Sequence, residues 1–263
     1  MRWGSSAAQL DRDLIMFIYC TQAVLMLVLT FQRESHAGRV LGGHEVVPHS
    51  RPYVVLLKTI DQNDTPNFCG GFLITEDFVV TAAHCKAKSY EVFPGLHKYN
   101  GHHNLSVKQS FPHNYYNEND YTNDIMLLKL SSKAVWNDKV KPIALADQQG
   151  NSLPTLCTVC GWGPTSSKET HMSSKLMEAS VTLINNEQCV KENVYCSEGD
   201  KGPSVGDSGG PLVCEDGKAY GVVSASQTTN GSMLYKYTKS NLLLWQTSKG
   251  DSGGPLVCED GKA

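Results

Sequence analysis

Three short motifs contain the residue types that nucleophilic acyl transfer requires. They occur in the order Thr81–Cys85 (TAAHC), Asn123–Leu128 (NDIMLL) and Gly206–Pro211 (GDSGGP). Taken singly, each has an ordinary explanation: a packed histidine, a turn aspartate before an apolar strand, and a glycine-rich loop. Together they supply a hydroxyl nucleophile, an imidazole base and a carboxylate that fixes the imidazole tautomer. The combination predicts an acyl-transfer site.

The segments around these motifs are predicted to be strands. Turn pairs such as Asn63-Asp64 and Pro94-Gly95 separate short runs of branched and aromatic residues. Those runs are Tyr53–Leu57, Gly71–Thr75, Phe78–Thr81, Ile125–Leu130 and Tyr220–Ser224. Only Ser240–Ser248 has some helical periodicity. Many short strands over about 210 residues favour a β-sandwich or a pair of β-barrels.

The composition of the chain is that of a globular protein. Of its 263 residues, 40% are hydrophobic and 19% are charged, and the formal net charge is −3. This hydrophobic content excludes a disordered chain, and the small net charge argues against binding to nucleic acid or to a membrane surface. The 9 cysteines indicate an oxidising compartment or a metal site, and an odd number leaves at least one without a partner in the chain.

Both ends of the chain are expected to lie outside the folded domain. Leu14–Phe31 contains no charged residue, and its length lies between that of a signal-peptide core and a short membrane anchor. Ser35–Ala37 fits a signal-peptidase site, which favours a cleaved signal peptide over residues 1–37, with a signal anchor as the alternative. The sequence of Gly206–Ala219 recurs unchanged at Gly250–Ala263, which indicates a duplicated coding segment rather than a second active site.

On the three motifs, the chain resembles the chymotrypsin-like (trypsin-fold) serine proteases, and its pattern is most similar to the granzyme and mast-cell protease branch. The resemblance covers residues from Val40 to about Lys249. It implies an all-β fold of two packed antiparallel six-stranded β-barrels with a short C-terminal helix. The protease domain would span 40–249, with barrels at about 40–138 and 139–249.

The resemblance also implies a role for each motif residue. His84 matches the general base, Asp124 the carboxylate that orients it, and Ser208 the nucleophile. The backbone N–H groups of Gly206 and Ser208 would form the oxyanion hole, where glycine leaves the backbone unrestricted. Ser224 matches the residue that supports the aspartate and the substrate backbone. The implied activity is hydrolysis of peptide bonds by a serine endopeptidase, either secreted or stored in secretory granules.

Activation by proteolysis is a further implication of the resemblance. Residues 38–39 would form an activation dipeptide, and cleavage after Arg39 would free the α-amino group of Val40. Asp207 would be a buried carboxylate that needs this counter-charge, because an unpaired buried charge is unfavourable. The implied partners are an activating protease, protein or peptide substrates and serpin-type inhibitors. The alternative is that Arg39-Val40 is merely a linker.

The cysteines are assigned by the same resemblance. Cys160 remains as a free thiol or as a site for a bond between chains of an otherwise monomeric protein. The implied disulfides are Cys69–Cys85, Cys157–Cys214 and Cys189–Cys196, while Cys20 lies in the signal segment and Cys258 in the repeated tail. No second CxxC pair and no HExxH motif is present. We therefore expect neither a metal nor a cofactor.

The primary specificity pocket departs from the family pattern. Gly202, six residues before Ser208, occupies the position that forms the base of the pocket in the family. Cleavage after Lys or Arg would need a carboxylate there, and Asp200 comes two residues too early. An apolar preference is therefore expected rather than a preference for Arg or Lys.

Other residues at the predicted pocket are also unusual. Ala225 and Ser226 stand where the family has an aromatic residue and glycine, and Tyr235 stands where relatives have a small residue. The loop from Cys189 to Cys196 is about half the usual length. A narrowed or occluded pocket is one outcome of these changes. Two alternatives to an active enzyme therefore stay open: a catalytically silent homologue that acts as a binding protein, and a defective product of the duplicated segment.

Overall fold

The structure is a computed structural model, and the residues that it describes are 40–99, 104–147, 154–164, 171–229 and 231–241. The chain divides into two compact units, residues 1–36 and 37–263, and every described residue belongs to the second unit. The predicted signal segment, the predicted C-terminal helix and the repeated tail all lie outside the described residues.

The first barrel follows a two-residue strand, β1 (His44–Glu45). Its strands are β2 (Val54–Ile60), β3 (Pro66–Leu73), β4 (Phe78–Thr81), β5 (Ser89–Pro94), β6 (Leu105–Pro112) and β7 (Met126–Leu130). Neighbouring strands are antiparallel, in the order β2-β3-β4-β7-β6-β5. The barrel closes where β5 pairs with β2.

The second barrel is built from the rest of the described chain. Its elements are β8 (Leu156–Gly161), β9 (Met177–Ile184), helix α1 (Glu187–Lys191), β10 (Val194–Glu198), β11 (Pro211–Cys214), β12 (Ala219–Thr229) and β13 (Ser232–Lys239). The strand order is β9-β10-β13-β12-β11-β8, and β8 pairs with β9 to close the barrel. These two six-stranded antiparallel barrels confirm the predicted fold class. β1 pairs with β9, so the start of the first-barrel segment joins the sheet of the second barrel.

Alternating burial explains why these segments form barrel strands. In β9, the odd-numbered residues from Met177 to Leu183 are buried, while Ser180 and Thr182 are exposed. Successive side chains of a strand point to opposite faces, so this pattern places one face in the barrel interior.

β2 is buried on both faces because it belongs to two cores. Val55 and Leu57 pack inside the first barrel. Val54 and Leu56 belong to a separate cluster with Trp162 of the second barrel. This cluster forms the apolar contact between the barrels, and it explains why β2 has a continuous apolar sequence rather than an alternating one.

The helical elements that the structure describes are short. A 3-10 turn at Ala83–Cys85 carries His84, and α1 is five residues long. The side chain of Asn186 caps α1 by accepting hydrogen bonds from the N–H groups of Gln188 and Cys189. In the described ranges, no helix is long and apolar enough to cross a membrane.

Candidate active site

His84 is held at the end of a strand of the first barrel. β4 ends at Thr81, whose hydroxyl donates a 2.8 Å hydrogen bond to the carbonyl of Gly70 in β3. The 3-10 turn that follows is tied to β3 by the Cys69–Cys85 disulfide. The side chain of His84 retains 22% of its exposure, so its ring remains accessible to a substrate.

The carboxylate of Asp124 receives three hydrogen bonds that fix it against this ring. The Nδ1 atom of His84 lies 2.7 Å from Asp124 Oδ2, and the His84 backbone N–H donates to Oδ1 over 2.8 Å. The hydroxyl of Ser224 donates to Oδ2 over 2.6 Å. Asp124 is 0% exposed. An ionised carboxylate accepts hydrogen bonds only, so this contact favours a proton on Nδ1 and leaves Nε2 free as a base.

Tyr121 contacts the candidate site, although no motif in the sequence predicts this. Its ring makes an edge-on contact with the His84 ring, with centroids 5.5 Å apart. Tyr121 and Asn123 both have left-handed backbones, at φ values of 59° and 56°. Asn123 donates from its side chain to the carbonyl of Tyr115 over 2.9 Å. The signal in the sequence is weak: an aromatic residue three positions before the motif aspartate.

Ser208 lies on a loop of the second barrel that contacts the first. Its carbonyl accepts a 2.7 Å hydrogen bond from the N–H of Gly70, and the Sγ atom of Cys85 lies 3.8 Å from the same oxygen. Ser208 is thereby next to the turn that carries His84. Across the described ranges, no hydrogen bond joins the Ser208 hydroxyl to the His84 ring. Catalytic hydrogen bonds are often long without substrate and shorten when it binds.

The two backbone amides assigned to the oxyanion hole are free of hydrogen bonds within the described part of the chain. Gly206 has a φ of +92°, a conformation that L side chains rarely adopt. Gly209 has a φ of +86°, and its N–H donates to the carbonyl of Val223 over 2.8 Å. This backbone leaves the N–H groups of Gly206 and Ser208 available to an anionic oxygen.

Asp207, beside Ser208, is a buried carboxylate. It is 1% exposed and accepts hydrogen bonds from the N–H groups of Gly163 and Ser204, over 2.6 and 2.8 Å. Burial raises the pKa of Asp207 to about 6, and the two amide hydrogen bonds only partly oppose this effect. A Cβ on Gly161 would overlap the carboxylate, so glycine is required beside it. Nowhere in the described ranges does a cationic group pair with Asp207.

The segment around the predicted cleavage point is close to the predicted pocket. Val40 is 1% exposed and packs in the core of the second barrel. Leu41 forms a bridge with Gly202, whose N–H donates to the Leu41 carbonyl over 3.1 Å. Val40 has a φ of 86°, which is an outlier for a β-branched residue.

The residues assigned to the primary pocket lie on two neighbouring strands and one loop. Ser224, Ala225 and Ser226 follow one another on β12, and Ser226 pairs across the sheet with Tyr235 of β13. Tyr235 is 0% exposed. A Cβ placed on Gly202 would lie 2.5 Å from the Cε2 atom of the Tyr235 ring, so this ring lies directly over Gly202.

The described cysteines form three disulfides and leave one thiol. The bridges are Cys69–Cys85, Cys157–Cys214 and Cys189–Cys196, the pairs that the resemblance implies. Cys160 is free but 1% exposed, so a bond to a second chain would require the structure around it to open. Burial and the nearby Glu178 carboxylate raise the pKa of Cys160 to about 12. Among described residues, no three His, Cys, Asp or Glu side chains are grouped to hold a metal ion.

Comparisons with known proteins agree with this geometry. The family model described as Trypsin matches residues 40–245. Granzyme E of Mus musculus is 38% identical to the chain over 216 residues, which cover 76% of this chain and 87% of that protein. Granzyme B of Rattus norvegicus is 38% identical over 241 residues, which cover 84% of this chain and 96% of that protein.

A mast-cell protease and a solved structure are similar to the chain as well. Mast cell protease 3 of Ovis aries is 37% identical over 237 residues, which cover 84% of this chain and 93% of that protein. The solved structure titled "Structure of GrC" has a TM-score of 0.67 and 33% identity, and the match covers 78% of this chain and 97% of that one. The chain therefore belongs to the trypsin family of serine proteases, in which it is similar to granzymes and mast-cell proteases.

Proposed function

We propose that this chain is a serine endopeptidase that hydrolyses peptide bonds through an acyl-enzyme. The observation that carries the proposal is the position of Asp124, which is fully buried and bonded to both the Nδ1 atom and the backbone N–H of His84. A carboxylate in this position both fixes the imidazole tautomer and stabilises the imidazolium that forms during proton transfer.

In the first half of the proposed reaction, the Oγ atom of Ser208 attacks the carbonyl carbon of the scissile peptide. The hydroxyl proton passes to Nε2 of His84, and the carbonyl oxygen becomes an oxyanion. The N–H groups of Gly206 and Ser208, which no described group occupies, donate to that oxyanion. The C–N bond then breaks, and the leaving amine takes the proton from His84.

In the second half, water attacks the acyl carbon and gives its proton to His84. The bond between the acyl carbon and Ser208 Oγ breaks, and the proton returns from His84 to that oxygen. The products are a free carboxylic acid and the unchanged enzyme. No cofactor is required at any step.

Activation by cleavage after Arg39 is part of the proposal. The buried carboxylate of Asp207 has backbone donors but no described cationic partner, and the new α-amino group of Val40 would supply that charge. Val40 is already buried in the second-barrel core. Its unfavourable φ is the torsion about its own N–Cα bond, measured from the carbonyl carbon of residue 39, so cleavage of the 39–40 peptide bond removes the restraint.

The proposed setting of the enzyme follows from the signal segment and the disulfides. A signal peptide over residues 1–37 would direct the chain to secretion or to secretory granules, where the three disulfides are stable. The proposed partners are protein or peptide substrates, an activating protease and serpin-type inhibitors. We propose a monomer, since the one free thiol in the described ranges, Cys160, is buried.

A second candidate function is that of a catalytically silent homologue that binds proteins. Two observations favour it: in the described ranges no hydrogen bond joins Ser208 to His84, and the Tyr235 ring covers Gly202. A third alternative, a defective product, depends on the repeated tail at residues 250–263, which lies outside the described residues.

Labelling of the active serine separates these alternatives. The purified chain is cleaved after Arg39 and treated with a fluorophosphonate, which reacts with activated serines, and the labelled peptide is identified by mass spectrometry. We expect labelling at Ser208 that is lost in His84→Ala. A folded, soluble and cleaved protein that is not labelled contradicts the proposal. Labelling at Ser252 would overturn the interpretation of the tail.

A further inference from the structure

The ring of Tyr235 occupies the space above Gly202 in the primary specificity pocket. A Cβ on Gly202 would lie 2.5 Å from Cε2, 2.6 Å from Cζ and 2.7 Å from Cδ2 of that ring. Three ring carbons therefore pack against Gly202, the residue assigned to the base of the pocket. Gly202 and Ser224, which are assigned to the floor and to one wall, are both buried.

The backbone that carries this ring is fixed on both sides. Tyr235 is in register with Ser197 of β10 on one side and with Ser226 of β12 on the other. A strand paired along both edges cannot move without breaking a ladder of hydrogen bonds. Tyr235 and Tyr237 both belong to the core of the second barrel, so the ring is part of the packed interior.

The hydroxyl group of Tyr235 does not explain why the ring lies above Gly202. The Tyr235 Oη atom is buried and has no hydrogen-bond partner in the described part of the chain. Tyr237, two residues later and on the same face, has its hydroxyl 2.8 Å from the Oγ atom of Ser197. The aromatic ring of Tyr235 therefore fills space rather than anchoring a polar network, and its size decides what fits beside it.

The rim of the pocket leaves room for a peptide backbone and a small side chain. Ala225 and Ser226 are small residues on β12, and Ser226 is exposed. On the side of Ser208, β12 pairs with β11 as far as Val222, and two further backbone hydrogen bonds follow at Val223. Beyond Val223, this edge of β12 has no described strand partner. An extended peptide can add to such an edge through main-chain hydrogen bonds.

We propose that Tyr235 sets the primary specificity of the enzyme by closing the pocket. It restricts the residue whose carbonyl is attacked to glycine, alanine or serine and excludes aromatic, branched and basic residues. This inference rests on the proposed serine endopeptidase function. The inference narrows the apolar substrate preference that Gly202 predicts. The size of the substrate side chain is limited by the Tyr235 ring above Gly202 rather than by Gly202 itself.

Cleavage assays with the activated protein test the inference. Peptides that differ only in the acyl-side residue, alanine or phenylalanine, are compared for the wild type, Tyr235→Ala and Tyr235→Phe. We expect the wild type and Tyr235→Phe to cleave after alanine only. Tyr235→Ala should gain about 100-fold in kcat/KM for phenylalanine, as removal of several buried carbons opens the pocket. Tyr235→Val, with a side chain suited to strands, gives a second, smaller opening.

Fluorophosphonate labelling of the same samples separates the two proposals. A wild type that is labelled at Ser208 and cleaves after phenylalanine as well as after alanine overturns the inference and leaves the endopeptidase proposal intact. A labelled Tyr235→Ala whose preference is unchanged overturns the inference too. Absence of labelling in the folded wild type instead contradicts the endopeptidase function.

A binding measurement tests pocket closure without catalysis. Benzyl alcohol is titrated into wild type, Tyr235→Phe and Tyr235→Ala, and binding is followed by NMR shifts of the protein. Tyr235→Ala should bind this probe, since an apolar cavity of the size of a tyrosine ring accepts small aromatic molecules. The two proteins that retain the ring should not. Equal binding by the wild type and Tyr235→Ala would overturn the inference.

Discussion

Asp124 is the residue whose chemistry can be altered with the least change in shape. In Asp124→Asn the side chain remains nearly isosteric, but an amide nitrogen facing His84 reverses the preferred tautomer of the ring. We expect kcat to fall about 10⁴-fold, the effect of this change in a chymotrypsin-like enzyme. The measurement is steady-state hydrolysis of an alanine peptide by the activated protein.

Ser224→Ala is the matched control for this change. It removes one hydrogen bond to Asp124 Oδ2 and leaves both bonds from His84 in place. The loss should be far smaller than that of Asp124→Asn. Equal losses in the two variants would mean that the orientation of the carboxylate, rather than the tautomer it selects, limits the reaction.

Loss of the hydroxyl group should affect stability differently at the two core tyrosines of β13, Tyr235 and Tyr237. Tyr237→Phe leaves the hydroxyl of Ser197 buried without its partner and should lower the free energy of unfolding by about 1–2 kcal/mol. Tyr235→Phe removes a buried hydroxyl that has no described partner and should leave this free energy unchanged or raise it. Urea unfolding at constant pH measures both. A loss on Tyr235→Phe as large as that on Tyr237→Phe would contradict the assignment of an unpartnered hydroxyl.

Residues such as His84, Asp124 and Ser208 could be predicted because their chemistry requires fixed residue types in short motifs. Tyr121 could not, since its contact with His84 depends on a loop with left-handed backbone at Tyr121 and Asn123. A loop conformation of that kind leaves no periodic pattern in the sequence. The sequence places Tyr235 at the predicted pocket, but only its packing against Gly202 in the structure specifies how far the ring extends into that space.

At the level of the element, the loop between β10 and β11 depends on glycines in unusual conformations. Gly209→Ala would place a Cβ in overlap with Thr81 and with the carbonyl of Gly70, at a φ of +86°. We expect a loss of about 2 kcal/mol or more in the free energy of unfolding. We also expect fluorophosphonate labelling to be lost, because Ser208 is the preceding residue. Both are measured on the purified variant.

Gly217→Ala is the control for this effect. Gly217 also has a positive φ, +76°, but a Cβ there would meet nothing within 4 Å. Its substitution carries only the backbone penalty of about 1–2 kcal/mol, and labelling at Ser208 should persist. If the two variants lost equal stability and both retained labelling, the contact between the Ser208 loop and the first barrel would contribute neither to stability nor to the reactivity of Ser208.

At the scale of the whole molecule, the charge state of Asp207 links pH to the stability of the uncleaved chain. Its pKa is raised to about 6 when folded, from 3.8 in an ordinary environment. The folded state therefore binds this proton more tightly. The free energy of unfolding should fall by about 2 kcal/mol as pH rises from 4 to 7. Urea unfolding of an uncleaved Arg39→Gln variant at several pH values measures this.

Two further proteins test whether Asp207 causes the pH dependence of stability. Asp207→Asn in the uncleaved background should remove this part of the pH dependence. Cleavage after Arg39 in the native sequence should also remove it, because the ammonium of Val40 would then stabilise the ionised carboxylate. A pH dependence that is identical in all three proteins would show that Asp207 is not the group responsible.

The fold as a whole could be predicted only in part from the strand pattern. Alternating and apolar runs identified the strands, but they left a sandwich and a pair of barrels equally open, since strand pairing is set by contacts between distant residues. The motif resemblance decided between the two. The pairing of β1 with β9 joins His44 to Glu178, and no local pattern at either position specifies the other.

One contact between the barrels has a dynamic consequence. The Gly70 N–H of the first barrel donates to the Ser208 carbonyl of the second, so its deuterium exchange requires this contact between the barrels to open. The exchange rate of this one amide therefore measures how often the backbone at Ser208 moves away from β3. A ligand that bridges the two barrels should slow that rate without touching Gly70.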